Sequence, residues 1–162
     1  MLNQLTRRMI ALYRGEPRRI QHFLKVHSLA RLIAISEGLS GDALLTLEAA
    51  ALVHDIGIQE AERRFGYNNG KLQETYGPPL AEGLLRSLGF SEAVTARVVW
   101  LVGHHHTYTN ISGLDHRILV EADFLVNLYE DGAEAQAIQA AYQRVFTTGS
   151  GRALCRDMFG IQ

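Results

Sequence analysis

Apolar residues recur along most of the chain at intervals of three and four positions, which is the spacing of one face of an α-helix. Residues 17–37 show this spacing most clearly, and their apolar positions are Ile20, Phe23, Leu24, Leu29, Leu32 and Ile33. Gly15 and Pro17 separate this segment from a helix predicted over residues 2–14, and Gly38 ends it. No segment shows the alternation of apolar and polar residues that indicates a strand. The pattern predicts an all-α fold, a bundle of about seven to nine helices.

Cap residues and helix breakers set the remaining boundaries. Ser40-Gly41-Asp42 favours the start of a helix that runs to about Ile56, with Gly57 as its C-terminal cap. Residues 59–76 are polar and contain several glycines and asparagines, so they predict a short helix followed by a loop. Pro78-Pro79 are expected to open the next helix, because proline is favoured in a first turn. The later helices are predicted at residues 78–88, 91–103, 114–129, 134–146 and 150–158.

The composition is that of an ordinary globular protein. The chain has 162 residues, of which 47% are hydrophobic and 20% are charged, and this length predicts a single domain over residues 1–162. Its one cysteine, Cys155, excludes a disulfide framework and fits a reducing cytoplasm. No apolar run approaches the roughly 18 residues of a membrane span, and no apolar segment follows the N-terminal arginines as in a signal peptide. We therefore expect a cytoplasmic protein without a membrane partner.

Positive charge is concentrated near the N-terminus, although the net charge of the whole chain is only −1. Residues 1–31 contain seven arginine and lysine residues and one glutamate. Such a segment attracts phosphates or nucleic acid, whereas a solvated helix face is the more ordinary explanation. Nucleic acid therefore stays open as a partner.

A histidine and an aspartate stand side by side at the end of an otherwise apolar segment, Ala49-Ala50-Ala51-Leu52-Val53-His54-Asp55-Ile56-Gly57. Burying an unpaired carboxylate is very costly, so Asp55 needs a partner. A cation would satisfy His54 and Asp55 together, whereas capping or hydrogen bonds to buried backbone would satisfy them separately. Neighbouring side chains on a helix point about 100° apart. The two residues can therefore share an ion only beyond the helix end, where Gly57 is expected to place them.

Together with two distant residues, this pair resembles the HD-domain superfamily of metal-dependent phosphohydrolases. His54-Asp55-Ile56-Gly57 matches a motif variant of that family, and His22 begins a His-x-x-x-Val stretch like the one that carries its first histidine. Asp123 resembles its distant aspartate and also interrupts two apolar triplets. The resemblance covers about residues 18–130, the core of the predicted domain. It implies an HD-type helical fold in which the metal ligands are His22, His54, Asp55 and Asp123.

Two points in this ligand set stay open. His27, five residues after His22, is a rival for the first position, but it would point about 140° away from His22 on a helix. The second point is the number of metals. Family members with two metals carry a histidine near the start of the helix that begins here around Gly77, where this sequence has Tyr76. We expect one ion, with two as the alternative.

Three consecutive histidines, His104, His105 and His106, follow a predicted helix. In two-metal members a histidine pair at this place completes the second site. The resemblance therefore implies that role for His104 and His105, with His106 as the third choice and Glu74 as a substitute oxygen ligand. Alternatively, a protonated histidine of this cluster would stabilise negative charge on a phosphate. A solvated polar loop is the remaining explanation.

The predicted ligands and their neighbours indicate the chemistry of the site. Two histidine nitrogens and two carboxylates suit Mn²⁺, Fe²⁺, Co²⁺, Ni²⁺ or Mg²⁺, and such an ion activates water as a nucleophile. Asp55 is also a catalytic candidate, because it could orient that water. Arg18 and Arg19 lie one turn before His22, and arginine binds phosphate through two parallel hydrogen bonds. Lys71 is a further candidate for the substrate phosphate.

The sequence therefore predicts a metal-dependent phosphohydrolase that acts on a small phosphorylated substrate, such as a nucleotide or another phosphate monoester or diester. Glu48 and Glu121 are candidates either for a general base or for a residue that supports the metal ligands. Glu121 is the better placed because it lies close to Asp123, although a residue so near Asp123 can also point outwards. One alternative is a regulatory module that keeps metal and nucleotide without turnover and contacts RNA. A metal-dependent oxygenase is the other, and the oligomeric state, including a homodimer, stays open.

Overall fold

The structure of the chain, a computed structural model that describes residues 1–161, is built from α-helices. These residues form nine helices and no strand, so the predicted all-α fold is confirmed. In chain order the helices are α1 (Leu2–Leu12), α2 (Pro17–Ser36), α3 (Gly41–Val53), α4 (Ile58–Phe65), α5 (Gly70–Ser87), α6 (Glu92–Val102), α7 (Gly113–Glu130), α8 (Ala135–Arg144) and α9 (Gly149–Phe159). Within residues 1–161, no helix has both the length and the apolar character that a membrane crossing requires.

The hydrophobic core forms where α2 lies against both α3 and α7. α6 packs on the other side of this group against α3 and α5, and α1 packs against α3. Large side chains that are fully buried in this core include Phe23, Ile33, Leu47, Leu52, Leu101, Ile118 and Leu119. Burial of each such side chain stabilises the fold by roughly 1.5–3 kcal/mol. The polar side chains at one end of this core therefore project from a backbone that the packing of α2, α3 and α7 holds in place.

The end of α3 differs from the prediction, because the helix stops at Val53 rather than near Ile56. Residues 54–57 form a turn that leads directly into α4, and Gly57 is the N-terminal cap residue of α4 rather than the cap of α3. His54 and Asp55 therefore lie beyond the last turn of α3, where neighbouring side chains can approach a common point.

α5 begins at Gly70, so the prediction that Pro78-Pro79 open this helix is wrong. The side chain of Asn69 caps α5, because it accepts a hydrogen bond from the backbone N–H of Leu72 at 2.9 Å. The two prolines lie inside the helix, where they lack the N–H groups that would bond to carbonyls one turn earlier. The loop predicted before them is reduced to residues 66–69, and α5 begins eight residues earlier than predicted, which adds about two turns at its start.

Glu121 of α7 is fully buried and holds the start of α9. Its Oε1 accepts hydrogen bonds from the backbone N–H groups of Thr147 and Thr148 at 2.7 and 2.9 Å, and its Oε2 accepts one from the Thr148 hydroxyl at 2.5 Å. A Cβ atom on Gly151 would lie 2.0 Å from Oε2, so only glycine fits there. Because the carboxylate satisfies groups at a helix N-terminus, the prediction that Glu121 is a general base is wrong.

Candidate metal centre

Four side chains from three parts of the fold converge at the polar end of the core. The Nε2 atom of His22, on α2, lies 3.3 Å from Nε2 of His54 and 3.2 Å from Oδ1 of Asp123, on α7. Oδ2 of Asp55 lies 3.5 Å from Nε2 of His22 and 3.4 Å from Nε2 of His54. The distance from Nε2 of His54 to Oδ1 of Asp123 is 3.6 Å. The structure thus brings together the four residues that the HD resemblance implied.

The turn that carries Asp55 is held by close backbone contacts. A Cβ atom on Gly57 would lie 2.7 Å from the backbone N of Gly77 and 2.9 Å from the backbone O of Gln73, so the absence of a side chain lets α5 approach the turn. From the other side, the hydroxyl of Tyr13 donates a hydrogen bond to the backbone carbonyl of Asp55 at 2.7 Å. Burial, together with the charge of Asp55, raises the pKa of Tyr13, so its hydroxyl stays protonated and remains a donor.

Both histidines turn a bare nitrogen towards the centre. Nδ1 of His54 lies 2.9 Å from the carbonyl oxygen of Ala51, and Nδ1 of His22 lies 3.0 Å from Oε2 of Glu130. Since these oxygens are acceptors, each Nδ1 keeps its proton, and Nε2 is the nitrogen that can present a lone pair to a cation. Lys25 holds Glu130 in place with an ion pair of 2.7 Å. Hydrogen bonds of this kind to a ligating histidine fix its ring and its tautomer in metal sites.

The donor set fits a divalent cation. Distances of 3.2–3.6 Å between neighbouring donors are those expected around an ion with bonds of about 2.0–2.2 Å. Nε2 of His22 and Nε2 of His54 each face both carboxylates, and these carboxylates need a positive charge beside them because an unpaired buried charge is costly. In the metal-free protein burial opposes the ionisation of Asp55, but the positive charge of protonated His54 and its hydrogen bond hold the pKa of Asp55 well below its usual value. The carboxylates therefore stay ionised and able to bind a cation.

A second group lies on the other side of Asp55. Its Oδ1 is 3.5 Å from Nε2 of His105, and one donor atom from each of Asp55, His105 and His106 lies within 4.8 Å of the others. Nδ1 of His105 donates to the carbonyl of Val102 at 2.8 Å, so its Nε2 is also bare. Nε2 of His106 makes a 2.8 Å hydrogen bond with Oε1 of Gln73, and the same oxygen lies 3.4 Å from Nε2 of His105. His105 and His106 are thus the histidines of the triplet that face the centre.

The predicted roles of His104 and Glu74 in a second metal site are wrong. The His104 ring stacks on Trp100 at 4.0 Å between ring centroids and 11° between planes, and its Nδ1 donates to the Trp100 carbonyl. Glu74 accepts hydrogen bonds from the backbone N–H of His106 and the hydroxyl of Thr107, both at 2.9 Å, so it anchors the loop after α6. The chain leaves the helix at Gly103, and the turn that follows rotates His104 outwards.

Other predicted residues also lie outside the centre. His27 pairs with Glu48, with 3.0 Å between Nε2 and Oε1, so it is not placed to be the first ligand and Glu48 is not placed to be a base. Tyr76 packs against Phe65, whereas Gln73, one turn earlier on α5, points to the centre. Gln73 was missed by the sequence analysis, although its four-residue spacing from the buried Gly77 marks the inner face of α5.

A cavity of about 370 Å³ opens beside the centre, and both predicted arginines line it. Arg19 is held by two carboxylates, Glu16 and Glu62, each at 2.6 Å, so its charge is already balanced. The side chain of Arg18 is 76% exposed and its contact with Asp131 is 3.8 Å long, which leaves it available to an anion. Lys71 is not part of this lining.

Neutral polar groups complete the wall of the cavity. Asn127, one turn after Asp123, donates a hydrogen bond to Oδ1 of Asp123 at 2.9 Å and also lines the cavity, together with Asn68. A larger cavity of about 530 Å³ lies between α1, α4 and α5, but its lining is mainly apolar. Three of the four converging residues, His22, Asp55 and Asp123, line the smaller cavity, whereas none of them lines the larger one.

Comparison with known proteins agrees with this geometry. The HD domain family model matches residues 19–141, and the chain therefore belongs to the HD domain family, whose members are typically metal-dependent hydrolases. The fold is similar to the crystal structure of a predicted HD superfamily hydrolase from an uncultured Thermotogales bacterium, with a TM-score of 0.70 and 26% sequence identity. That match covers 98% of this chain and 84% of the other. A comparison with curated proteins gives no match.

Proposed function

We propose that the protein is a metal-dependent phosphohydrolase that acts on a nucleotide or another small phosphate monoester or diester. The observation that supports this most directly is the convergence of His22, His54, Asp55 and Asp123, at 3.2–3.6 Å between facing atoms. The exposed guanidinium of Arg18, whose one ion pair is a long contact with Asp131, lies at the same cavity. Together they offer a cation position and a phosphate position side by side.

The four converging residues would hold the ion. Their two nitrogens and two carboxylate oxygens suit Mn²⁺, Fe²⁺, Co²⁺, Ni²⁺ or Mg²⁺, rather than a metal that prefers thiolates. When bound, such an ion lowers the pKa of a coordinated water and polarises a phosphoryl oxygen. The side chain of Asp55 is 21% exposed, more than those of the other three ligands, and it lines the cavity together with His22 and Asp123.

The surrounding side chains supply binding and proton acceptance. Arg18 is suited to bind two phosphate oxygens at once, because the guanidinium presents parallel N–H groups. Oδ1 of Asp55 and Nε2 of His105, which lie 3.5 Å apart, are proton acceptors on the side away from His22. Asn68 and Asn127 offer neutral hydrogen bonds to the rest of the substrate.

The size of the cavity supports a small substrate. A volume of about 370 Å³ lies within the range of roughly 300–1,000 Å³ that small-molecule sites occupy. A nucleotide or a sugar phosphate matches this scale. Of the two arginines that line the cavity, only Arg18 is not held by two close carboxylates, and one such arginine suits one phosphoryl group rather than a polyphosphate.

Metal analysis followed by an activity screen tests this function. The purified protein is loaded with Mn²⁺, Co²⁺, Ni²⁺ or Mg²⁺ and assayed against panels of phosphate monoesters and diesters. Asp55→Ala should lose both bound metal and hydrolysis, whereas Asp42→Ala, the same change at an exposed site on α3, should keep both. Full activity in Asp55→Ala would contradict the proposal. Bound metal without turnover on any substrate would favour the regulatory alternative, with RNA binding as the next measurement.

A further inference from the structure

A chain of hydrogen bonds runs from Arg19 to His106. Arg19 donates to Oε1 of Glu62 at 2.6 Å, and Nδ2 of Asn68 donates to the same oxygen at 2.8 Å. Nε2 of Gln73 donates to Oδ1 of Asn68 at 2.9 Å. Oε1 of Gln73 then lies 2.8 Å from Nε2 of His106. We call these five residues the Arg19 relay.

The direction of every bond in the Arg19 relay is forced by its first pair. Arginine only donates and an ionised carboxylate only accepts, so Asn68 must turn its NH₂ group towards Glu62. The carbonyl oxygen of Asn68 then faces Gln73, which must donate a hydrogen bond to it from its own NH₂ group. The carbonyl oxygen of Gln73 is left facing the ring of His106. Since that oxygen is an acceptor, the proton of His106 must sit on Nε2.

Other contacts clamp the His106 ring in this position. Nδ1 lies 3.1 Å from the hydroxyl of Tyr108, and the backbone N–H donates to Glu74 at 2.9 Å. On its other face the ring touches Gly70, where a Cβ atom would lie 2.8 Å from Cγ of His106. The ring is therefore not free to turn away from Gln73.

His106 thus has the opposite tautomer to the other histidines of the centre. His22, His54 and His105 each use Nδ1 as a donor and present a bare Nε2. His106 instead presents an N–H on Nε2, and its Nδ1 is occupied by Tyr108. An ion on the far side of Asp55 would find one carboxylate oxygen and one histidine nitrogen, and binding to His106 would have to break the bond to Gln73. Breaking a buried hydrogen bond and leaving its partner unsatisfied is unfavourable.

We propose that Gln73, oriented by the Arg19 relay, is a positioning residue that limits the centre to a single metal ion. This inference rests on the metal centre of the proposed function. The new element is that the hydrogen bond between His106 and Gln73 lies where a second ion would otherwise bind. Replacing Gln73 by glutamate removes the donor to Asn68 and places a carboxylate, which can bind a cation, where the amide oxygen now accepts from Nε2 of His106.

Counting bound Mn²⁺ tests the proposal without reference to activity. Dialysed protein is titrated with Mn²⁺, bound metal is measured by elemental analysis, and the electron paramagnetic resonance spectrum distinguishes an isolated ion from an exchange-coupled pair. The wild-type chain should bind one Mn²⁺ with the spectrum of an isolated ion. Gln73→Glu should bind two with a coupled spectrum. Gln21→Glu, the same change at an exposed site next to His22, should still bind one.

The outcomes separate this inference from the proposed function. Two coupled ions in the wild-type protein would overturn the inference while leaving phosphoester hydrolysis intact. One ion in a folded Gln73→Glu would overturn it too, with folding checked by circular dichroism. If Gln73→Glu fails to fold, the wild-type count alone decides. No bound ion at all would contradict the metal centre and, with it, both proposals.

Discussion

The carboxylate of Glu130 accepts a hydrogen bond from Nδ1 of His22 at 3.0 Å, and it lies at the last residue of the helix that carries Asp123. This bond sets the His22 ring with its bare Nε2 towards the centre. α7 therefore contributes both Asp123, which faces the cation position, and Glu130, which orients His22 of α2.

Replacing Glu130 by glutamine should weaken metal binding by about 10- to 100-fold, the usual effect of losing a hydrogen-bonding partner of a ligand. The amide would no longer supply the charge that keeps the proton on Nδ1 of His22. Isothermal titration with Mn²⁺ measures the change. Glu134→Gln, at an exposed position beside α8, is the matched control, and an unchanged affinity in Glu130→Gln would show that the contact does not orient His22.

Metal binding should release protons near pH 7. Burial lowers the pKa of His22 and His54, but the carboxylates around them outweigh burial and raise both above the ordinary value. In the metal-free protein this raised pKa stabilises the fold fully below about pH 6.5, and the contribution is lost as the pH rises through the raised pKa. Because the ligand nitrogens must be bare, the bound ion displaces these protons, and apparent affinity rises with pH.

The proton release is measured by titration calorimetry at pH 7 in buffers with different heats of ionisation. The observed heat should vary with the buffer, in proportion to the protons released. His27→Gln should give the same proton count as the wild-type protein, because His27 faces Glu48. Heats that do not depend on the buffer would mean that the imidazoles are already neutral before the metal binds.

Arg18→Ala should raise the KM of the substrate by roughly 10- to 100-fold, the loss expected from one hydrogen-bonded charge pair of about 1.5–3 kcal/mol. The value of kcat should change much less if Arg18 binds the ground state and the transition state alike. Steady-state kinetics on the best substrate of the activity screen check this. Arg14→Ala removes an exposed arginine from the same basic segment and should leave KM unchanged; equal effects in both variants would point to general electrostatic attraction instead.

Gly57→Ala should destabilise the fold by about 1–3 kcal/mol, because its Cβ would meet the backbone of α5 rather than a flexible side chain. It should also reduce metal affinity, since the same contact positions the turn that carries Asp55. Gly83→Ala is the control: it lies on the exposed side of α5 with no atom near its Cβ, so alanine should stabilise the helix by up to about 1 kcal/mol. Urea denaturation compares the two. Equal stability of both variants would show that α5 can shift.

The sequence predicted the helical class because most helices have an apolar face that can be recognised locally. His54, Asp55 and Asp123 could be singled out for a related reason, because each is a polar residue next to apolar residues, where burial demands a partner. His22 was chosen because its His-x-x-x-Val stretch matches that of the HD family. The start of α5 was predicted wrongly because proline is favoured in the first residues of a helix, and Pro78 and Pro79 therefore indicated a start there. Asn69, which caps the helix, was counted as part of a loop.

Other parts of the site depend on packing between distant segments. Whether His104 or His106 faces the centre is decided by the turn that follows α6. The helical spacing of apolar residues ends before this turn, so it cannot predict which way these side chains point. Gln73, Glu130 and Asn127 are ordinary polar residues of amphipathic helices. Their roles arise only when α5 meets the turn after α3 and when α7 lies beside α2.

The hydroxyl of Tyr13 donates a hydrogen bond to the carbonyl of Asp55, and so helps to hold the metal centre. Tyr13 lies outside the family match, which begins at residue 19. A protein trimmed to that boundary would leave this carbonyl without its donor. It would also uncover the apolar surface that Leu5 and Met9 of α1 now cover. The smallest chain that keeps the aspartate in place is therefore longer than the stretch by which its relatives are recognised.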